Sequence, residues 1–364
     1  MFNISIQGLL LGSYIIKEEL VTFPIQFMKE VKVVKKVNIA VVGATGMVGR
    51  TFLKVLEDRN FPFENLYPLA SKRSAGEKVK CKGKEYVVEE LTEASFDRDI
   101  DIALFSAGGD ISTKFAPIAA SKGVIVIDNS SAWRMDPEVP LVVPEVNPED
   151  IFKHKGIIAN PNCSTIQAMV PMKPLHDAYK IKRVMYSTYQ SVSGSGVKGV
   201  SDLEEGIKGN EQYLAYPHSI AKNCIPHIDV FMENGYTKEE MKMVNETRKI
   251  LHDEDIRVTV TCVRVPINSS HSEAINLEFE KPYNLEDVFT MFEDTDGLVV
   301  QDKVEDNIYP LADDCKDKDE VFVGRIRRDF SIDNGLNIWV VADNIRKGAA
   351  TNAIQIAEKI VENM

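Results

Sequence analysis

The stretch Val37–Gly49, VNIAVVGATGMVG, decides the fold. Val37–Val42 reads as a short buried strand. It runs straight into Gly43-Ala44-Thr45-Gly46-Met47-Val48-Gly49, and a helical pattern continues to about Asp58. Glycines at such a turn let the backbone approach a pyrophosphate. The helix start adds free N–H donors and a positive dipole end. The pattern therefore predicts a dinucleotide site at Gly43, Thr45, Gly46, Met47 and Val48; a structural turn is the plain alternative.

Working outward, the next strand is Asn65–Ala70, followed by Ser71-Lys72-Arg73-Ser74. An NAD site would usually place an acidic residue here for the ribose 2′-OH. Two cations and two hydroxyls suit a 2′-phosphate instead, so Arg73 and Ser74 point to NADP; the alternative is a solvated basic loop. Asp101–Ser106 and Val124–Asp128 are further buried strands, with a helix over about Ser112–Lys122 between them. Alternating strands and helices predict an α/β fold with a doubly wound parallel sheet. Ligands bind at the carboxyl ends of such strands, which draws in Ser106 and Gly108, and Arg134 beyond Asp128.

The composition narrows the function classes. A chain of 364 residues suits two domains. A net charge of −12 disfavours nucleic acid and anionic membrane as partners. No apolar run approaches the ~20 residues of a spanning helix. The nearest, Gly8–Ile16, lacks the flanks of a signal peptide. Five cysteines, none in a CxxC pair, argue against a disulfide framework and a zinc site. A reducing, cytoplasmic setting and no metal are expected. Residues 1–36 precede the first strong structural signal; they are either an extension or, up to residue 27, untranslated, with Met28 as the start.

Cys163 stands apart from Cys81, Cys224, Cys262 and Cys315. Ile157–Ala159 is a short strand, Asn160-Pro161-Asn162-Cys163-Ser164-Thr165 follows, and a helical run continues to about Tyr179. A cysteine at a helix N-terminus is expected to have a lowered thiol pKa, and the same N–H groups suit an oxyanion. A structural cysteine is the other reading. Val184–Val192 is a strand closing on Gln190-Ser191-Val192-Ser193-Gly194, a turn open to a ligand. Ile256–Val265 alternates, and Arg264 closes the apolar face of Ile256, Val258, Val260 and Cys262. A charge there needs a partner, and a substrate carboxylate would serve. His271 opens the next strand beside it and is the acid–base candidate. Glu246 and Lys249 share one face of the helical stretch Lys238–His252, where a surface ion pair is the plain reading. Ile338–Ala342 is a strand and Ala349–Val361 an amphipathic helix, while the acidic stretch Asp302–Glu320 has no assignment.

GATGMVG, SKRSAG, SSAWRM, NPNCST, QSVSGSG, ETRKIL, RVPINSSHSE and DNIRKGAA occur in this order from Val37 onward. Together they resemble the aspartate-semialdehyde dehydrogenases of the bacterial NADP-dependent type. The resemblance implies a Rossmann-type NADP-binding domain of residues 37–162 plus 344–364. It implies an α+β catalytic and dimerisation domain of residues 163–343, and a homodimer, sometimes paired into a tetramer. The implied reaction is reductive dephosphorylation of L-aspartyl 4-phosphate through a Cys163 thioester, with His271 moving the proton and Gln190 orienting substrate. Arg264 would take the carboxylate, Glu246 the amino group, and Arg134 with Lys249 the phosphate; Asn162 joins the substrate site. Ser193, Gly194 and Asn344 would lie near the nicotinamide. The rivals are a related acyl-phosphate reductase, such as N-acetyl-glutamyl-phosphate reductase, and an inactive NADP-binding homologue. A carboxylate for a free amino group argues against the first rival. Retention of Cys163, Gln190, Arg264 and His271 together argues against the second.

Overall fold

Strand and helix patterns of the first half build one parallel sheet. The computed structural model describes residues 13–16, 19–22 and 35–364; Met28 lies outside the described residues. Ser13–Ile16 (β1) and Glu19–Thr22 (β2) form an antiparallel hairpin, a unit separate from residues 36–364. The chain then runs β3 (Val37–Val42), α1 (Met47–Asp58), β4 (Phe63–Ala70), a hairpin of β5 (Lys78–Cys81) and β6 (Lys84–Val87), β7 (Glu89–Glu90), β8 (Ile102–Phe105), α2 (Gly109–Ser121), β9 (Ile125–Asp128) and β10 (Ile157–Ala159). The sheet order is β10-β9-β8-β3-β4-β7, all parallel. The direction of winding reverses between β3 and β8, so a crevice opens at their carboxyl ends. The expected doubly wound sheet is present.

The second half forms a mixed sheet. After α3 (Cys163–Tyr179) come β11 (Ile181–Gln190), α4 (Gly196–Ile207), α5 (Lys238–Leu251), β12 (Arg257–Arg264), β13 (His271–Phe279), α6 (Leu285–Glu293), β14 (Leu298–Val300), β15 (Val321–Asp329), β16 (Gly335–Ala342) and α7 (Asn352–Glu362). The order is β12-β11-β13-β16-β15-β14. The period-two alternation of β12 buries Val260, Cys262 and Arg264 and exposes Arg257 and Thr261. Side chains of α3, α5 and α6, among them Ile166, Met243 and Phe292, share one core with Val260, Ile275 and Leu277. Helix α7 returns to the first sheet, where Ala353, Ile354, Ala357 and Ile360 pack with Ile39, Val41 and Leu104.

The approach to α7 differs from the expected plain helix. Arg346–Thr351 is a π-turn, because outside partners fix consecutive side chains. Arg346 bonds Asp58 at 2.8 Å and Asp319 at 2.5 Å. Lys347 is fully buried on Glu145 and Gln355 at 2.7 and 2.8 Å. Burial pushes the Glu145 carboxyl up, but the Lys347 ammonium outweighs it and holds it below its ordinary range. The unassigned acidic stretch docks here too: Asp317 meets Lys54, and Asp319 meets Arg59, Arg346 and Thr351.

Glu273 of β13 is fully buried; among the described residues no cation pairs with it, and the nearby Ser164 hydroxyl only partly offsets the burial. Burial raises its pKa well above the carboxylate range, so it stays protonated. A raised pKa in the folded state lets the unfolded chain lose its proton first. Stability then declines as pH climbs above about 4.3, toward the folded value. Glu273→Gln, equal in shape with no proton to lose, is expected to melt higher than wild type at about pH 7 and to lose that gain near about pH 4. Melting curves at the two pH values check this; a variant less stable at neutral pH would contradict it.

Candidate active site

The glycine turn after β3 sits against the end of β8. Gly43 has φ +86°, and a Cβ there would lie 2.4 Å from the Ser106 carbonyl oxygen. A Cβ on Gly49 would lie 2.0 Å from the Gly43 carbonyl oxygen, so only glycine lets α1 start this close. No side chain caps α1 at Gly46, which leaves the Met47 and Val48 amides facing the crevice end of the helix. A cleft of about 350 Å³ is lined by Gly43, Thr45, Gly46, Ser71, Ser106 and Ile111. Thr45 Oγ1 and buried Ser74 Oγ are 3.3 Å apart. Lys72 and Arg73 are exposed at this rim, and among the described residues neither joins an ion pair. Gly108, with φ +90°, starts α2 nearby. The residues present fit a dinucleotide: uncapped amides for the pyrophosphate, unpaired cations at the ribose end.

Cys163 is the first residue of α3 and keeps partial exposure. Asn162 caps the helix, its Oδ1 accepting from the Ser164 and Thr165 amides at 3.0 and 3.4 Å. Its Nδ2 donates to Glu239 at 2.8 Å, and its backbone amide donates to Glu246 at 2.7 Å. Across the gap, a Cβ on Gly348 would lie 2.8 Å from the Cys163 Cβ, so the π-turn backbone forms the opposite wall. The expected lowered thiol pKa is not what the site produces. Burial, with Glu239 next, pushes the Cys163 thiol up to about 12, against the opposing pull of Arg264 and Arg134. Desolvation of a thiolate outweighs the Ser164 amide at the helix terminus, which still acts to lower the thiol.

The other groups meet at one end of the second sheet. Gln190 and Arg264 are register partners at the carboxyl ends of β11 and β12, and His271 pairs with Ala342 at the same end. Arg264 is buried, and among the described residues no carboxylate lies within ion-pair distance of it. Its Nη1 donates to the Ser191 carbonyl at 2.5 Å, and its Nε has no partner. His271 is fully buried; the Ser191 amide donates to its Nδ1 at 3.1 Å, the Ser191 hydroxyl lies 3.1 Å from the same nitrogen, and among the described residues Nε2 has no partner. Burial, then Arg264, pushes the imidazole down to about 3, so it is neutral at physiological pH. A Cβ on Gly194 would lie 2.8 Å from Arg264 Nη1 and 3.4 Å from His271 Nε2, which places this glycine directly over both. Asn344 bonds Ser193 and Ser191 rather than standing alone.

One expected pair is misplaced by two helical turns. Lys249 gives its ammonium to the carbonyls of Arg134, Asp136 and Val139 at 2.7, 2.7 and 2.9 Å, so it has no donor to spare. Glu246 is fully buried between the Asn162 amide and Arg134 Nη1 at 3.0 Å; it braces the site wall instead of facing a substrate. Arg134 also bonds the Asn129 carbonyl, and among the described residues its buried Nε has no partner. The pair at the site is Glu239 and Lys242, which share the same i,i+3 spacing on α5. Glu239 reaches Asn162, Gln190 at 3.4 Å and Lys242 at 3.0 Å. Burial pushes the Glu239 carboxyl up, but Lys242 outweighs it and keeps it ionised. The signal was available: two Glu–Lys pairs occupy one helix, and only the earlier one lies near its N-terminus, toward Asn162.

Gly348→Ala would drive a methyl group into Cys163. It is expected to cut turnover by ~100-fold or more, because a misplacement of about 1 Å at the reacting atom has that scale. Far-UV circular dichroism should stay unchanged; steady-state kinetics check the loss.

Similar known proteins fall in one enzyme family. Residues 38–154 match the family described as semialdehyde dehydrogenase, NAD binding domain, and residues 172–347 match semialdehyde dehydrogenase, dimerisation domain. The aspartate-semialdehyde dehydrogenase of Aquifex aeolicus (strain VF5) is 58% identical over 333 residues, 89% of this chain and 98% of that protein. That of Bacillus subtilis (strain 168) is 48% identical over 340 residues, 89% of this chain and 97% of its own. The crystal structure of aspartate semialdehyde dehydrogenase II from Vibrio cholerae superposes with a TM-score of 0.87 at 50% identity, covering 90% of this chain and 99% of that one. A second structure of it, complexed with ASA, matches equally well. The chain belongs to the aspartate-semialdehyde dehydrogenase family.

Proposed function

We propose that this enzyme interconverts L-aspartyl 4-phosphate and L-aspartate 4-semialdehyde with NADP as its redox partner, at the step that feeds lysine, threonine, methionine and diaminopimelate synthesis. The observation that carries the reading is the buried guanidinium of Arg264, which has no carboxylate of its own, beside Cys163, Gln190 and His271. A substrate α-carboxylate completes it with paired hydrogen bonds. Glu239, in place of Glu246, faces the substrate ammonium. Lys242 and the free Nε of Arg134 supply positive charge to the phosphate, in place of Lys249.

Cys163 Sγ bonds to the acyl carbon while the carbon–oxygen bond to phosphate breaks. The phosphate leaves with the electron pair and the thiol proton, so a neutral thiol suffices for overall balance. Gln190, held by Glu239 and Thr188, orients the acyl group. His271 presents Nε2 to the reacting oxygen. Bound at the Gly43–Val48 turn, reduced NADP would supply a hydride to the thioester carbon; the carbon–sulfur bond then breaks, and the Cys163 thiolate takes up, by way of His271, the one proton that the net reaction consumes. Ser193 and Gly194 shape the wall between that cleft and Arg264. Residues 37–162 with 344–364 serve as the nucleotide domain, and residues 163–343 as the catalytic and dimerisation domain of a homodimer in the cytoplasm. Among the described residues no helix is long and apolar enough to cross a membrane.

The test is NADPH formation from aspartate semialdehyde, phosphate and NADP. Wild type should be active and Cys163→Ala inactive; a variant that kept its rate would contradict the thioester. Arg73→Ala is expected to raise KM for NADP by ~10-fold or more, the scale of one charge-assisted hydrogen bond, with little change for NAD. Equal effects on both cofactors would contradict the 2′-phosphate assignment.

A further inference from the structure

Residues 129–140, between β9 and the bridge of Leu141 to Ala159, lie in neither helix nor strand. Backbone carbonyls in such a stretch have no ladder to join and need donors from elsewhere. Three of them share one donor group. Lys249 Nζ, on α5, donates to the carbonyls of Arg134, Asp136 and Val139 at 2.7, 2.7 and 2.9 Å. Three acceptors use all three N–H bonds of an ammonium; a neutral amine has only two. The loop is folded around a cation.

The same helix holds the other end of Arg134. Glu246, one turn before Lys249, accepts from Arg134 Nη1 at 3.0 Å, and the Asn129 carbonyl accepts from Nη2 at 3.0 Å. Glu246 also accepts from the Asn162 amide, next to Cys163. Arg134 is thus fixed at its carbonyl by Lys249 and at its guanidinium by Glu246. Its side chain is buried, and among the described residues Nε has no partner. An arginine held before its ligand arrives has already lost its rotamer freedom, so binding does not have to supply that cost.

We propose that Lys249 is a positioning residue: its ammonium, bound by three carbonyls, sets the loop that carries Arg134 and so sets the Arg134 guanidinium toward the substrate phosphate. This rests on the phosphate reading of Arg134 given above. With every N–H engaged, Lys249 supports the residue that meets phosphate and does not itself touch it. A cavity of about 410 Å³, lined by Lys249, Val139, Asp150 and His252, gives small ions access to the carbonyl cage.

The test is Lys249→Ala in the full-length enzyme. It is expected to raise KM for phosphate by ~10-fold or more, the scale of a charge-assisted hydrogen bond, with KM for the semialdehyde and for NADP little changed. A wild-type KM for phosphate overturns the proposal. So does an equal rise for all three substrates, which would mark a general loss of structure. Phosphate binding without turnover is read by ³¹P NMR line broadening of inorganic phosphate, and Lys249→Ala should weaken it to the same degree. Added ethylammonium brings three N–H donors to the emptied cage and should restore binding. Tetramethylammonium has the same charge and no N–H, so it should not. Restoration by both ions, or by neither, overturns the positioning role. An enzyme that shows this binding pattern and turns over no semialdehyde refutes the reaction and leaves the role of Lys249 standing.

Discussion

A buried positive charge without a negative partner organises this enzyme. Arg264 closes an otherwise apolar strand face, and among the described residues its guanidinium makes one hydrogen bond, to the Ser191 carbonyl. A lone buried charge is costly, and removing its partner from a buried pair typically costs ~3–5 kcal/mol. In the reaction proposed above, the missing partner arrives with the substrate carboxylate. The same charge adds to the burial that lowers the His271 pKa, and opposes, without defeating, the burial that raises the Cys163 thiol. Nucleophile, imidazole and guanidinium thus form a site that is electrostatically incomplete until an anion enters.

Geometry around that charge comes from distant parts of the chain. The Arg346-Lys347-Gly348 turn shows how. Arg346 binds α1 and the acidic stretch, Lys347 is sunk on Glu145, and Gly348 is thereby pressed on Cys163. Asn344, just upstream, braces Ser191 and Ser270. The segment leading from the catalytic sheet back to the nucleotide sheet therefore also sets the position of two reacting groups. A contact at Asp319, remote in sequence from Cys163, belongs to the same chain of constraints.

Most of the fold was legible because its signals are local. The glycine turn after β3, the alternation through Arg264 and the helix start at Cys163 each depend on a few consecutive residues. The misreadings arise where partners are distant. Spacing alone could not separate Glu246–Lys249 from Glu239–Lys242, since both pairs lie on α5; the caps and carbonyls that occupy Lys249 come from residues 134–139. The helix terminus at Cys163 is visible in sequence; the burial that raises its thiol is not. The acidic stretch had no periodicity to read, and its order comes from cations on α1 and the π-turn.

The most direct measurement is the unfolding free energy of Arg264→Met against wild type, by denaturant titration at equal protomer concentration. An unpartnered buried charge replaced by an apolar chain of similar volume should leave stability unchanged or raise it by ~1–4 kcal/mol. A loss of ~3–5 kcal/mol would mean that Arg264 is already paired within the protein, and would contradict a site left open for the substrate carboxylate.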